Sequence, residues 1–166
     1  MAGRHDDEFA EFAVGATPRL LRTAWLICGD ESQAEDLVQS AMVKVYLRWG
    51  WLRTRQPVAY ARKCILNEHI DTHRRRQRET TVSDLPEQHH RDREPEDTGH
   101  IVRLLNTLPT RERQVVVLRH YVGLPEAEVA DLLDVSVGTV KSSGSRGLVR
   151  LREALATEDL QEGQHV

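Results

Sequence analysis

The sequence is poor in cysteine and in aromatic residues. Two of its 166 residues are cysteines, and aromatic side chains make up 5% of the chain. Cys28 and Cys64 lack a partner at CxxC spacing and lie in apolar, helix-like surroundings, so we expect reduced structural thiols rather than a redox or metal site. His89 and His90 lie in a polar stretch without neighbouring ligand patterns, which argues against zinc. No cofactor is expected.

Long apolar runs and enzyme motifs are also missing. No run approaches the roughly 20 apolar residues needed to span a bilayer, and the acidic start MAGRHDDEFAEF is unlike a signal peptide. We therefore expect a cytoplasmic protein without membrane insertion. Glycine-rich phosphate loops, metal-ligand spacings and nucleophile motifs are absent. Glu35 and Asp36 are neighbouring carboxylates that point in different directions on a helix, so an enzyme is not expected.

Charge is distributed unevenly, although the net charge is only −3. Residues 1–40 hold eight acidic residues against three arginines, a net of −5, whereas residues 53–78 hold eight basic residues against two acidic ones, a net of +6. Residues 79–99 return to −5, with seven acidic residues against two arginines, and residues 137–152 carry +4. Two basic segments separated by an acidic one indicate two DNA-binding surfaces on a tether.

Apolar residues recur at helical spacing, and no strand-like alternation is present. A first helix is predicted over residues 6–28, with a kink or a break just before Pro18. Asp30 is predicted to cap the next helix, Gly50 to mark a turn and Pro57 to begin a further helix. The predicted fold is all-α: two small helical domains joined by a flexible acidic linker, the C-terminal one a helix-turn-helix.

The domain boundaries follow changes in composition. Residues 1–78 are predicted to form the first domain and residues 100–156 the second. The polar, proline-interrupted segment 79–99 cannot bury enough apolar surface to fold alone, which predicts a flexible linker. Residues 157–166 are predicted to fray.

The stretch from Leu124 to Arg152 predicts two helices joined by a tight turn. Asp134 lies where the chain must turn, and Ser136 is a good N-cap for the following helix. One face of that helix is apolar, whereas the other is basic and hydroxylic. The residues assigned to DNA on it are Lys141, Ser142, Ser143, Ser145, Arg146 and Arg150. Such a face suits the major groove, as in helix-turn-helix proteins whose second helix reads DNA.

Two glycines interrupt this second helix. Each glycine in a helix interior, here Gly144 and Gly147, costs about 1 kcal/mol relative to alanine. Gly144 also leaves a gap in the apolar stripe between Val140 and Leu148. We therefore expect a weak or locally mobile helix and a gain in thermal stability from Gly144→Leu.

The run LPTRERQVVVLRHYVGLPEAEVADLLDVSVGTVKSSGSRGLVRLR resembles the promoter-binding domain of bacterial sigma factors. The similarity comprises LPxRER, the following LRxY, the EVAxLL helix and GTVKS. Together with two N-terminal segments, it identifies the sequence as a member of the extracytoplasmic-function (ECF) sigma factors, the minimal two-domain type. The resemblance implies a dissociable subunit of RNA polymerase whose second domain reads the −35 duplex and whose first domain opens and reads the −10 region.

The first of these segments, GDESQAEDLVQSAMVKVYLRW, resembles the helix with which the family docks on polymerase. The resemblance implies that Asp36, Leu37 and Gln39 contact the β′ clamp helices. The helical spacing also turns Glu35 outward with Asp36 and Gln39, as an acidic face that could equally be an ordinary solvated one. Ser40 departs from the family's usual Glu, so one charge contact is missing.

The second segment, QPVAYARKCILNEHIDTHRRRQRE, resembles the part of the family that opens the strands. Asn67 can offer a donor and an acceptor to a flipped base, arginines can hold phosphates, and aromatic rings can stack on bases. The residues assigned to −10 DNA are Trp51, Tyr60, Arg62, Lys63, Asn67, Arg74, Arg75 and Arg76. A backbone-satisfying role for Asn67 and a core role for the tryptophans are the alternatives.

The resemblance also implies the partners: core RNA polymerase, through the β′ clamp helices and the β flap, promoter DNA and an anti-sigma factor. The acidic linker would thread towards the RNA exit path as a nucleic-acid mimic, or would simply be solvated. The alternative function is a stand-alone helix-turn-helix transcription regulator, which leaves DLVQ and the segment from Asn67 to Arg76 unexplained.

Overall fold

The computed structural model describes residues 2–79 and 96–163, and all regular elements within these ranges are helical. The chain divides into two compact units, Met1–Arg91 and Asp92–Val166. The predicted all-α fold of two helical domains is confirmed. The helices of the first unit are α1 (Ala2–Cys28), α2 (Glu31–Leu47), α3 (Trp49–Leu52) and α4 (Pro57–Glu79). Those of the second are α5 (Glu96–Asn106), α6 (Thr110–Val116), α7 (Glu126–Leu133) and α8 (Val137–Glu162), with a π-helical turn, Val117–Tyr121, after α6.

Helix α2 is the centre of the first unit, because α1 and α4 both pack against it. Its buried stripe recurs at helical spacing and consists of Ala34, Leu37, Val38, Ala41 and Val45. Asp30 caps the helix as predicted, since its carboxylate accepts a hydrogen bond from the backbone N–H of Gln33 at 2.7 Å. The apolar periodicity thus fixes which side of α2 faces the core and which side is left for partners.

Two local features of this unit differ from expectation. Of the kink or break predicted just before Pro18, the break does not occur, because α1 is continuous through Pro18. Pro18 is exposed, and Leu20 and Ala24 beyond it are buried. That burial offsets the roughly 3 kcal/mol that an internal proline costs. Gly50 lies inside the short helix α3 rather than in a turn, because a single helical turn allows Trp49 and Leu52 on either side of it to be buried together.

The second unit is a helix-turn-helix supported by α5 and α6. Helix α8 packs against α5, α6 and α7, and the core includes Val115, Leu118, Val129 and Val140. Both turn predictions are confirmed. Asp134 has the left-handed backbone, with φ of 52°, and the Ser136 hydroxyl accepts a hydrogen bond from the Thr139 N–H at 3.1 Å.

The ends of this unit are more helical than predicted. Helix α5 begins at Glu96, inside the predicted linker, and residues 80–95 of that linker lie outside the described residues. Helix α8 continues to Glu162, although fraying was predicted from residue 157. His100 Nε2 lies 3.3 Å from a Glu158 carboxylate oxygen, so α5 contacts this last part of α8. Residues 164–166 are again outside the described part.

Neither cysteine forms a disulfide: Cys28 is half-buried, and Cys64 is buried. Within residues 2–79 and 96–163, no cluster of His, Cys, Asp or Glu could hold a metal ion. His89 and His90 lie outside the described residues. No described helix combines the length and the apolar character needed to cross a membrane.

Candidate DNA and polymerase interfaces

The basic face predicted on α8 is present, with one correction. Lys141, Ser142, Ser145, Arg146 and Arg150 are exposed on it. The prediction for Ser143 was wrong, because this residue is only 1% exposed. It follows the buried Val140 by three positions and therefore lies on the same inward side of the helix. Five of the six residues assigned to −35 DNA thus share the solvent-facing side of α8.

A buried carboxylate from α6 holds two of these residues. Glu112 is 5% exposed, and its Oε1 accepts a hydrogen bond from Arg146 Nε at 3.3 Å. Its Oε2 lies 2.9 Å from Arg150 Nε as an ion pair, without the alignment of a hydrogen bond. Sequence reasoning missed this residue. The only available signal was an acidic side chain inside the LPxRER motif, just before an apolar run.

A glycine lets α8 approach α6 at this place. A Cβ on Gly147 would lie 2.7 Å from Val116 Cγ2, 3.3 Å from Leu108 Cδ2 and 3.4 Å from Glu112 Cβ. Gly144 is different, because its Cβ would only touch Val115 Cγ1 at 3.4 Å. From the sequence, both glycines were expected to weaken the helix. Gly147 is instead required for α8 to pack closely against α6.

The outer face of α2 carries part of the predicted docking set. Asp36 and Gln39 are exposed, and Glu35 is half-buried. The assignment of Leu37 as a surface contact was wrong: it is 3% exposed and belongs to the core of the first unit. Its position one residue after Asp36 turns it about 100° around the helix, towards α1 and α4. Leu37 therefore packs beneath the outer face of α2 and is not exposed on it.

Ser40 has a partner that the sequence did not indicate. Its hydroxyl donates to a Glu68 carboxylate oxygen at 2.6 Å, and Lys44 Nζ lies 3.2 Å from the same oxygen. A carboxylate from α4 is therefore held beside position 40 of α2, where the family usually has its own Glu. The two residues are 28 positions apart, so no local pattern could have revealed the contact.

Trp51 is available as a stacking surface, as predicted for −10 DNA. It is 57% exposed, whereas its neighbour Trp49 is 6% exposed and belongs to the core. The Arg55 guanidinium lies 4.2 Å from the centre of the Trp51 ring, and its Nη1 donates to the Trp51 carbonyl at 2.6 Å. Sequence reasoning missed Arg55, although its spacing of four residues from Trp51 is a signal for this contact.

The remaining residues assigned to −10 DNA lie along α4. Tyr60, Lys63, Asn67 and Arg74 are spaced by three, four and seven residues, which places them on one side of the helix. Lys63, Asn67 and Arg74 are exposed, whereas Tyr60 and Arg62 are half-buried; Arg75 and Arg76 are exposed further along. Burial, followed by the neighbouring Cys64 thiol, raises the pKa of Tyr60 above its usual 10.0.

The acidic start of α1 contacts α2 and the residue that follows α3. Asp6 accepts a hydrogen bond from the Tyr46 hydroxyl at 2.9 Å, and Glu8 forms an ion pair with Arg53 at 3.1 Å. The hydrogen bond to Asp6 raises the pKa of Tyr46. An acidic residue of the negatively charged first 40 residues, Glu8, thus pairs directly with Arg53 of the positively charged segment 53–78.

Comparison with known proteins assigns both units. Residues 16–79 match the family described as Sigma-70 region 2, and residues 99–151 match the family described as Sigma-70, region 4. The RNA polymerase sigma-E factor of Streptomyces avermitilis is 36% identical over 163 residues, with 92% of this chain and 88% of the relative covered. The chain belongs to the sigma-70 family. The sigma-E factor of Streptomyces coelicolor is 35% identical over 157 residues, with coverage of 92% and 89%.

Solved structures of other proteins share the fold. The sigma factor RpoE of Bartonella quintana, in complex with the anti-sigma factor NepR, gives a TM-score of 0.70 at 24% identity, covering 89% of this chain and 96% of its own. CnrH, in complex with the cytosolic domain of CnrY, gives 0.63 at 22% identity, with coverage of 90% and 88%. These likenesses show the fold. Together with the two family matches and the sigma-E relatives, they confirm the predicted ECF sigma factor of two domains.

The family assignment settles the general function. This sigma factor acts with RNA polymerase in promoter-directed transcription initiation, and sigma factors are initiation factors rather than catalysts. The region 2 match covers most of the first unit. The alternative of a stand-alone regulator gives this unit no role.

Proposed function

We propose that α8 reads the −35 duplex with Lys141, Ser142, Ser145, Arg146 and Arg150. The observation that carries this assignment is the one-sided exposure of three cations and two hydroxyls on the second helix of a helix-turn-helix. Cations suit the phosphates, and bidentate Arg contacts suit guanine edges in the major groove. Ser143 takes no part in DNA contact and packs inside the unit.

The first unit opens and reads the −10 region in this proposal. Asn67 offers its amide to the edge of an unstacked base, and Trp51 offers a ring that Arg55 covers from one side. Lys63 and the arginines from Arg74 to Arg76 hold the backbone of the separated strand. This assignment draws its support from the exposure of Trp51 on α3 and of Lys63, Asn67 and the three arginines on α4. Tyr60 and Arg62 are half-buried and offer less surface.

Docking on core RNA polymerase uses the outer face of α2, with Glu35, Asp36 and Gln39 directed at the β′ clamp helices. The second unit contacts the β flap. The protein works in the cytoplasm together with the polymerase. Threading of the acidic linker towards the RNA exit path concerns residues 80–95, which lie outside the described part of the chain, and stays a prediction.

An anti-sigma protein is the proposed regulatory partner. Support comes from the similar RpoE structure, which contains the anti-sigma factor NepR. Co-purification of the chain with such a protein, followed by loss of transcription when it is added to the holoenzyme, is the expected result.

Run-off transcription with core polymerase tests the residue assignments. Candidate upstream regions are transcribed with and without the protein, and defined start sites that need the protein provide the test promoters. Arg146→Ala is expected to lower initiation about tenfold on promoters whose −35 sequence matters, and to change little once that sequence is scrambled. Asn67→Ala is expected to lower initiation on both templates, because the strands must open whether the −35 sequence is intact or scrambled.

Matched controls are available in each unit. Arg103→Ala on α5 and Arg22→Ala on α1 remove exposed arginines outside the proposed surfaces, and both are expected to initiate like wild type. Equal losses for Arg146→Ala with intact and scrambled −35 sequences would contradict the assignment of α8.

A further inference from the structure

We infer that Glu112 is a positioning residue for −35 recognition, which orients Arg146 and Arg150 for DNA without touching DNA itself. The inference rests on the proposed role of α8. Glu112 lies on α6, 34 residues before Arg146 in the chain, and its side chain is 7% exposed. The two arginines are four residues apart, so they project from the same side of α8 and converge on one carboxylate.

The geometry of the contact leaves the outer edge of each arginine accessible. Both guanidinium groups approach Glu112 through Nε, at 3.3 Å for Arg146 and 2.9 Å for Arg150. Their side chains remain 60% and 52% exposed. Arg146 is hydrogen-bonded to Glu112 through Nε, and Arg150 is attracted to it as an ion pair. An arginine that faces a carboxylate through Nε can still present its two Nη groups to a phosphate or to a guanine edge. Fixing the side chains beforehand reduces the conformational entropy lost on binding.

Gly147 makes the arrangement sterically possible. It lies between the two arginines, and a Cβ at this position would be 3.4 Å from Glu112 Cβ and 2.7 Å from Val116 Cγ2. The missing side chain allows α6 to approach α8 closely enough for the short Glu112 side chain to reach both guanidinium groups. A shallow depression lined by Ser145, Val149 and Glu153 adjoins the two arginines on α8.

The competing explanation is a buried ion pair that only stabilises the second unit. The two explanations predict opposite signs for DNA binding by Glu112→Gln. Removing a negative charge beside a DNA-binding face strengthens binding to a polyanion if charge is all that matters. Loss of the orienting carboxylate weakens binding if Glu112 positions the arginines, even though the unit has become more positive.

The experiment measures the holoenzyme concentration for half-maximal initiation on a promoter used by wild type, with its −35 sequence intact or scrambled. For Glu112→Gln we expect a rise of about tenfold on the intact promoter, the order expected when a charge-assisted contact is loosened. On the scrambled promoter no rise is expected, and the maximal rate should be unchanged on both. Glu153→Gln on α8 is the matched control, since it also removes one carboxylate charge beside Arg146 and Arg150 and should not weaken binding.

Each outcome decides the inference. Binding of Glu112→Gln to the intact promoter that equals or exceeds wild type overturns it. If Glu112→Gln fails to fold, as a lost thermal transition would show, Glu112→Asp takes its place. Asp keeps the charge but withdraws it by one methylene, so a several-fold rise on the intact promoter alone is expected, and wild-type behaviour overturns the inference. If wild type itself ignores the −35 sequence, the proposed role of α8 fails instead.

Discussion

Gly147 and Gly144 are three residues apart in α8, yet substitution by alanine should have opposite effects. A Cβ on Gly147 would lie 2.7 Å from Val116 Cγ2, a buried atom of a short side chain that cannot move away freely. Overpacking of this kind costs about 1–3 kcal/mol, which exceeds the roughly 1 kcal/mol gained from helix propensity. A Cβ on Gly144 meets Val115 at 3.4 Å, an ordinary contact.

We therefore expect Gly147→Ala to lower the free energy of unfolding by about 1 kcal/mol and Gly144→Ala to raise it by up to about 1 kcal/mol. Chemical denaturation of the two variants, measured together with wild type, checks both. Alanine tests the propensity at position 144 more directly than leucine does, because leucine must also find space beside the fully buried Val115. A stabilised Gly147→Ala variant would show that α6 and α8 can separate easily.

Ser40 and Glu68 form a second pair whose substitution has a defined sign. Ser40→Glu replaces a hydroxyl donor by a carboxylate next to the Glu68 carboxylate, so a hydrogen bond becomes a repulsion. Glu68 is 33% exposed, and water and Lys44 screen part of this repulsion, so we expect a loss of about 1 kcal/mol of unfolding free energy. The additional change Glu68→Gln should restore most of it, because an amide can donate to the new carboxylate. Denaturation midpoints of the single and double variants measure both effects.

Individual residues also show what the sequence could and could not predict. Exposure of Lys141, Asp36 and Asn67 follows from helical periodicity, which is a local property. Leu37 and Ser143 were placed wrongly because resemblance and polarity, respectively, were given more weight than their position on the helix. Glu112 and Arg146 are 34 residues apart in the chain, and Glu68 and Ser40 are 28 apart. Both pairs join different helices, and a single sequence carries no information on such pairs.

At the scale of helices, capping residues predicted two starts correctly, at Asp30 and Ser136. The differences from expectation concern places where tertiary packing overrides a local signal. Pro18 does not end α1 and Gly50 does not exclude α3, because buried residues on both sides of each hold the helix together. The last residues of α8 are helical, and Glu158 among them contacts His100 of α5, a contact that the polar sequence of the tail does not show.

Ser136→Ala tests the capping interaction at the start of α8. The variant removes the acceptor of the Thr139 N–H, and such a loss costs about 1 kcal/mol. For a unit of this size we expect the melting temperature to fall by about 4–8 °C. Ser142→Ala is the control for the loss of a hydroxyl on the same helix and should not lower it. An unchanged melting temperature for Ser136→Ala would mean that solvent or Thr139 itself replaces the cap.

At the scale of the whole molecule, charge is arranged along the chain rather than summed over it. A net charge of −3 would not identify a DNA-binding protein, whereas basic residues on α4 and α8 do. Composition and helical periodicity therefore predicted the two helical units, and the family resemblance predicted their roles. The orientation of individual side chains within each unit had to come from the structure.

The division into two units makes a quantitative prediction about combined variants. Ser40→Glu acts through Glu68 inside the first unit, and Gly147→Ala acts through Val116 inside the second, so the two sites share no partner. Sites that act through separate partners usually have additive effects within about 0.5 kcal/mol. We expect the double variant Ser40→Glu, Gly147→Ala to lose the sum of the two single losses in chemical denaturation. Ser40→Glu with Glu68→Gln is the internal contrast, because contacting residues should depart from additivity. A clear departure for the first pair would reveal energetic coupling between the two units.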